Sequence, residues 1–137
     1  MTLHLADFEG AWQLDRVLDD RLAGRRGHLR GTARFVADGT GLTYTEEGTL
    51  AFPGQPPLTA RQSYLWRADG AALAVHFQDK TAFHHIDLTK KNPTARHDCA
   101  PDTYLVTYDF TAWPNWSATW TVTGPRKDYV STSRYSR

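Results

Sequence analysis

A single cysteine, Cys99, stands in the whole chain, so no intrachain disulfide can form. Nothing in cysteine usage therefore points to an oxidising compartment. Charge of one sign is also missing: 16 basic residues face 15 acidic ones, for a formal net charge of +1. That balance excludes a broad nucleic-acid footprint, which needs a basic excess on one face. Long apolar runs are absent, and no stretch approaches the roughly 18–20 apolar residues of a membrane span. The first twenty residues carry acids and no apolar block, so no signal peptide is expected and the default compartment is the cytoplasm. No low-complexity segment, linker or short internal repeat breaks the chain. At 137 residues it fits one domain, expected over 1–137. A chain of that size buries roughly two thirds of its unfolded surface without staples.

What the sequence does hold is aromatic side chains: five Trp, six Tyr and six Phe. Aromatics favour strands and also line apolar cavities. They recur with period two, the mark of half-buried strands. Trp116, Ala118, Trp120 and Val122 share one face; Ser117, Thr119, Thr121 and Thr123 share the other. Leu42, Tyr44, Leu50 and Phe52 are in phase, as are Tyr104, Val106, Tyr108 and Phe110, and Leu73, Val75 and Phe77. Similar alternation runs through Trp12 to Leu18, Leu29 to Phe35, Ala60 to Trp66, Phe83 to Leu88 and Tyr129 to Tyr135. Turn chemistry separates these stretches at Asp38-Gly39, Asp69-Gly70, Asp79-Lys80 and Gly124-Pro125, and Pro53 to Pro57 makes a rigid loop. Only Asp19 to Gly27 or Leu88 to Ala100 has room for a helical turn. The expected fold is all-β: one antiparallel up-and-down barrel of about nine to ten strands, closed to remove its edges. An open sandwich is the alternative.

In a barrel, side chains alternate between lumen and solvent. With the more apolar face of each strand turned inward, Arg16, Glu46, Gln62 and Asp102 fall inside, beside Trp12, Tyr44, Tyr64, Trp66, Tyr104 and Tyr108. One of the neighbours His84 and His85 must also face in. Buried polar groups require partners. Two readings follow. These groups pair with one another and close a barrel end, or they form a polar patch that orients a ligand in an apolar cavity.

The most chemical segment is Phe83 to Asp87, followed by Arg96-His97-Asp98-Cys99 and Asp102. Imidazole, thiolate and carboxylate are metal-ligand types, but the spacing matches no established zinc pattern. Cys99 beside His97 suggests a nucleophile and base, against a plain structural cysteine. Neither a metal nor another cofactor is expected.

Phe8-Glu9-Gly10-Ala11-Trp12 resembles the Gly-x-Trp signature that opens the first strand of lipocalins and their calycin relatives. The resemblance implies that Trp12 closes one barrel end under a late basic residue, Arg134 or Arg126, in a cation–π contact. Over roughly residues 7–137 the chain is also similar to the DUF6314 family. That similarity is carried by Phe8-x-Gly10-x-Trp12, Gly31-x-Ala33-x-Phe35, Tyr44-x-Glu46-x-Gly48, Tyr64-x-Trp66, Phe83-His84-x-x-Asp87-Leu88, His97-x-Cys99-x-x-Asp102-x-Tyr104 and Gly124 to Tyr129. It implies a calycin-type barrel and supplies no reaction or ligand. Because its pattern includes His84 and not His85, it ranks His84 first. It also draws attention to Lys127, either as a partner for an anionic ligand group or as one half of an exposed ion pair.

Two functions of different class compete. The first is a binding module whose lining comprises Tyr44, Tyr64, Trp66, Val75, Phe77, Tyr104, Tyr108 and Trp120. Arg16, Glu46, Gln62, His84 and Lys127 would orient a small, mostly apolar ligand. The second is a small barrel enzyme of cyclase, isomerase or decarboxylase type, with His84, His97 and Asp102 as its acid–base set. Haem or metal binding through His84 and His97 is a remote third. The expected partner is a small molecule, with no nucleic acid and no membrane. A homodimer through an edge strand or the Trp113 to Trp116 corner is open.

Overall fold

The computed structural model of the chain describes residues 2–137. Ten strands follow in order: β1 (Gly10–Asp20), β2 (Arg25–Ala37), β3 (Leu42–Ala51), β4 (Leu58–Asp69), β5 (Ala72–His76), β6 (Ala82–Asp87), β7 (Thr94–Cys99), β8 (Asp102–Asp109), β9 (Trp116–Gly124) and β10 (Lys127–Ser136). Each pairs antiparallel with its sequence neighbour, except that β6 and β7 are the two ends of the sheet order; β1 also pairs with β10. The result is one ten-stranded antiparallel sheet, nearly closed into a barrel. β6 and β7 come together across the remaining gap without joining the hydrogen-bonded order.

The expected alternation is what builds this sheet. Trp12 and Leu14 are buried while Gln13 and Asp15 are exposed. Leu42, Tyr44 and Glu46 are buried on β3, and Trp116 and Ala118 on β9. Curvature has a local cause as well. Gly31 on β2 lies opposite Gly48 on β3, and a Cβ at Gly31 would collide with the backbone of Glu47 and Gly48. The two strands approach too closely there for any side chain, which lets the sheet bend.

Two segments considered for helix are not helical. Asp19 to Gly27 is the end of β1, a turn and the start of β2, and Leu88 to Ala100 is an irregular turn followed by β7. The period of β7 is hidden because its inward residues are Ala95 and His97 rather than large apolar groups. A short 3-10 turn forms instead at Leu5–Phe8. Phe77 lies beyond the end of β5, after an irregularity at Val75/His76, and stacks on Phe83 with ring centroids 4.5 Å apart.

One end of the barrel is plugged by aromatics. Phe8 is fully buried and sits 5.0–5.8 Å from the rings of Phe35, Trp66, Phe110, Trp113 and Trp116. Trp12 donates its indole N–H to the Phe8 carbonyl at 2.9 Å. The cation over Trp12 is Arg137, 3.8 Å from the ring, and not Arg134 or Arg126. Parity explains the correction. Ser131, Ser133 and Tyr135 face in, so Arg134 faces out, while Arg137 continues the inward row past the strand end. Arg126 lies in the β9–β10 turn, at the opposite end of the barrel. The Arg137 guanidinium also donates to the carbonyls of Glu9 (2.9 Å) and Asp7 (2.8 Å).

Arg137→Ala removes this clasp and should lower the unfolding free energy by about 1–2 kcal/mol. Arg134→Ala should change it by less than about 0.5 kcal/mol. Urea unfolding followed by tryptophan fluorescence distinguishes the two.

Candidate functional site

Above the aromatic plug the barrel interior encloses a cavity of about 390 Å³. Its walls come from every strand except β7, with Leu29 as the contribution of β2. Strand register sets which side chains meet inside. Arg16 on β1 lies opposite Ser133 on β10, Glu46 opposite Gln62 across β3 and β4, and Tyr44 opposite Tyr64 across the same pair.

The polar side of the cavity centres on Glu46. Its carboxylate accepts from Arg16 Nη1 at 2.6 Å, Arg16 Nη2 at 2.8 Å, the Tyr44 hydroxyl at 2.7 Å and Gln62 Nε2 at 3.0 Å. Four bonds fill the lone-pair capacity of one carboxylate. Because Tyr44 donates to Glu46, the Tyr135 hydroxyl 2.8 Å away must donate to Tyr44. Arg16 Nε donates to the Ser133 hydroxyl at 2.6 Å. The Arg16 and Glu46 side chains are 16% and 5% exposed, so their attraction is weakly screened. Burial alone would push the Glu46 carboxyl up, but the bonds from Arg16, Tyr44 and Gln62 hold it below the usual carboxylate range. Burial opposes the Arg16 charge too, and Glu46 together with Tyr135 and Tyr44 more than offsets it. At the rim the exposed Gln62 also accepts from the Tyr64 hydroxyl at 3.0 Å. Burial, followed by the nearby Glu46 charge, raises that phenol to about 12.

The apolar side is aromatic. Phe83 stacks on Trp120 at 5.0 Å with planes 9° apart, and Tyr64 stacks on Phe83 at 5.5 Å. Trp116 stacks on Tyr135 at 3.8 Å. His84, not His85, faces inward, and its Nε2 meets the Tyr108 hydroxyl at 2.8 Å. Burial, with smaller repulsion from His97 and His85, pushes the imidazole down to about 3, so it is neutral. Its Nδ1 and the indole N–H of Trp116 are buried with no hydrogen-bond partner.

Of the expected ligand-side residues, Arg16, Tyr44, Glu46, Gln62, Tyr64, Trp66, Val75, His84, Tyr104, Tyr108 and Trp120 line the cavity. Lys127 and Phe77 do not. Lys127 pairs instead with Asp102 at 3.1 Å and donates to the Tyr104 hydroxyl at 2.8 Å. Gly124 makes room for this, since a Cβ there would run into the Asp102 carboxylate.

The structure does not assemble the acid–base set. Asp102 is held by Lys127, away from His84. His97 packs its ring against Phe83 and Phe77, at 5.1 and 5.7 Å. The histidines that do meet carboxylates are His28 with Asp15 and His85 with Asp69, both on the outer surface. Cys99 is exposed. Among the described residues, no group of three or more His, Cys, Asp or Glu side chains converges as a metal ligand set. Sequence reading missed Ser133, Tyr135, Phe83 and Trp116 as lining residues. The in-phase row Ser131, Ser133 and Tyr135 carried the signal for the first two.

Two measurements probe this arrangement. Glu46→Gln strands the Arg16 charge and should cost about 3–5 kcal/mol; Arg16→Met should cost a similar amount, and the double variant Arg16→Met/Glu46→Leu far less than their sum. A double-mutant cycle by chemical denaturation gives the coupling. His84 sets a pH dependence. Its folded value lies below the ordinary 6.5, so the unfolded chain binds the extra proton between pH 6.5 and 3, and stability falls as pH drops through that window. Between pH 7 and pH 5 the loss from His84 should be about 2 kcal/mol, and His84→Gln should abolish that share of it.

Comparisons with known proteins place the chain by family and by fold. A solved structure of similar fold is the crystal structure of a protein with unknown function from the DUF3598 family of Nostoc punctiforme PCC 73102. It aligns with a TM-score of 0.57 at 12% identity and covers 98% of this chain. The match takes in 48% of that protein, so this chain spans about half its length. At that identity the likeness concerns the fold alone. No curated protein matches the chain, and no helix is long and apolar enough to cross a membrane. The family profile described as "Family of unknown function (DUF6314)" matches residues 8–137, and the chain belongs to that family.

Proposed function

We propose that this barrel is a lipocalin-like binding module that takes up one small, mostly apolar molecule in its interior. The observation that carries the reading is the cavity itself: about 390 Å³, walled by aromatic rings, with one ordered polar cluster on its side. That combination of apolar lining and few, fixed polar groups is the usual form of a small-molecule site, and the volume lies in the usual range. The Glu46 cluster is closed among the protein's own side chains, so the polar side is preorganised. The acid–base alternative lacks a carboxylate beside either candidate histidine, whereas the binding reading uses the residues that line the cavity.

The test uses the neutral fluorescent probe 1-naphthylphenylamine, whose emission rises in apolar surroundings. The wild-type protein should bind it saturably with one site per chain. Ala60 lines the cavity near its rim, and Ala60→Trp should fill that space and weaken binding at least tenfold with the urea midpoint little changed. Absence of saturable binding to the wild type, or undiminished binding to a folded Ala60→Trp, would contradict the reading.

A further inference from the structure

We infer that the cavity selects an uncharged ligand bearing a hydrogen-bond acceptor, a ketone, ester or similar carbonyl compound, and discriminates against a carboxylate of the same chain. This rests on the binding reading above and names the ligand class for the same site.

The first step is the charge balance inside. The charged side chains lining the cavity are Arg16, Glu46 and Arg61. Arg16 and Glu46 neutralise each other in a bidentate pair at 2.6 and 2.8 Å. Arg61 is exposed, has Glu47 4.0 Å away, and is screened by solvent. The remaining candidate for a positive charge, His84, is neutral. A carboxylate brought inside would therefore be desolvated with no uncompensated cation to meet it.

The second step counts donors against acceptors. Glu46 is saturated by its four donors and offers a ligand nothing. On the donor side, Arg16 commits three of its five N–H groups to Glu46 and Ser133, with the Tyr135 hydroxyl as a further neighbour. Gln62 uses one of its two amide N–H groups on Glu46. The indole N–H of Trp116 is buried and unpaired.

His84 carries a further unpaired N–H, closed off within the wall. If its Nε2–H donated to Tyr108, both the Tyr108 hydroxyl proton and Nδ1 would be buried without partners. If Tyr108 donates to Nε2, only the Nδ1–H is left over, so the second arrangement is favoured. His84 and Trp116 flank Tyr108, with ring centroids 5.9 and 6.4 Å from it, and Trp116 stacks on Tyr135 beside Arg16. The spare N–H groups of Arg16 and Gln62, which line the cavity, are thus the donors open to a ligand on a neutral background, while the unpaired N–H groups of His84 and Trp116 are sealed within the wall. A carbonyl oxygen accepts from the spare donors without bringing charge.

Displacement of 1-naphthylphenylamine at pH 8 by 2-nonanone and by nonanoate tests this. The ketone should displace the probe at a concentration at least tenfold lower than the carboxylate. Nonanoate equal to or better than 2-nonanone would overturn the head-group inference while leaving the cavity reading intact. So would probe binding that neither compound displaces. Failure of the probe to bind would sink the cavity reading and this inference with it. Glu46→Gln leaves Arg16 uncompensated and should shift the ratio toward nonanoate by at least threefold; an unchanged ratio in the folded variant would contradict the charge argument. Should that variant fail to fold, the wild-type comparison decides alone.

Discussion

A carboxylate buried in a barrel wall must find donors or be protonated, and Glu46 finds four. Much of the upper barrel is organised by that requirement. Arg16 supplies the balancing charge from β1, Gln62 from β4 closes the rim, and Tyr44 passes the network on to Tyr135 on β10. The cluster therefore joins four strands that lie on both sides of the β1 ladder. An apolar set of similar volume would hold the strands together as well or better, since a buried ion pair is poor evidence of stability in itself. What the polar set adds is geometry. Each tyrosine hydroxyl and guanidinium nitrogen has one place to point, which keeps the cavity wall in a single arrangement.

The sequence shows the barrel plainly because a period of two survives any strand exchange. Trp116 to Val122 and Leu42 to Tyr44 announce their faces with large side chains, and the inward placement of Arg16 and Glu46 follows from phase alone. Legibility fails where the inward residue is small or polar. β7 turns Ala95 and His97 inward and so reads as no strand at all. Ser133 and Tyr135 become lining residues only once β10 is known to lie against β1. Arg137 lies outside any alternation window, since it acts after its strand has ended.

Chemistry was harder to read than architecture for a related reason. His84, His97, Cys99 and Asp102 sit close together in sequence, but sequence proximity carries no direction. β6 places His84 against Tyr108, the β7–β8 hairpin turns Cys99 outward, and Asp102 meets Lys127, which arrives from β10. The carboxylate that matters inside comes from β3, at a position that looks in sequence like part of an ordinary Thr-Glu-Glu strand. The resemblance to DUF6314 ranked His84 above His85 as a site candidate without an orientation or a role for either, and His84 is the one buried inside.

The gap between β6 and β7 gives the barrel an asymmetry of strength. Everywhere else the wall is zipped by main-chain bonds, which hold regardless of which side chains are present. Along this one line the two edges are held by side chains, with Phe83 on β6 set against His97 on β7 and Trp120 on β9. The molecule is thus a rolled ribbon fastened by an aromatic clasp rather than a continuous tube. Phe83 is at once a cavity wall and part of the fastening. The seam is the one line of the barrel whose closure depends on side-chain identity, so a substitution at Phe83 acts on the cavity and on the closure together.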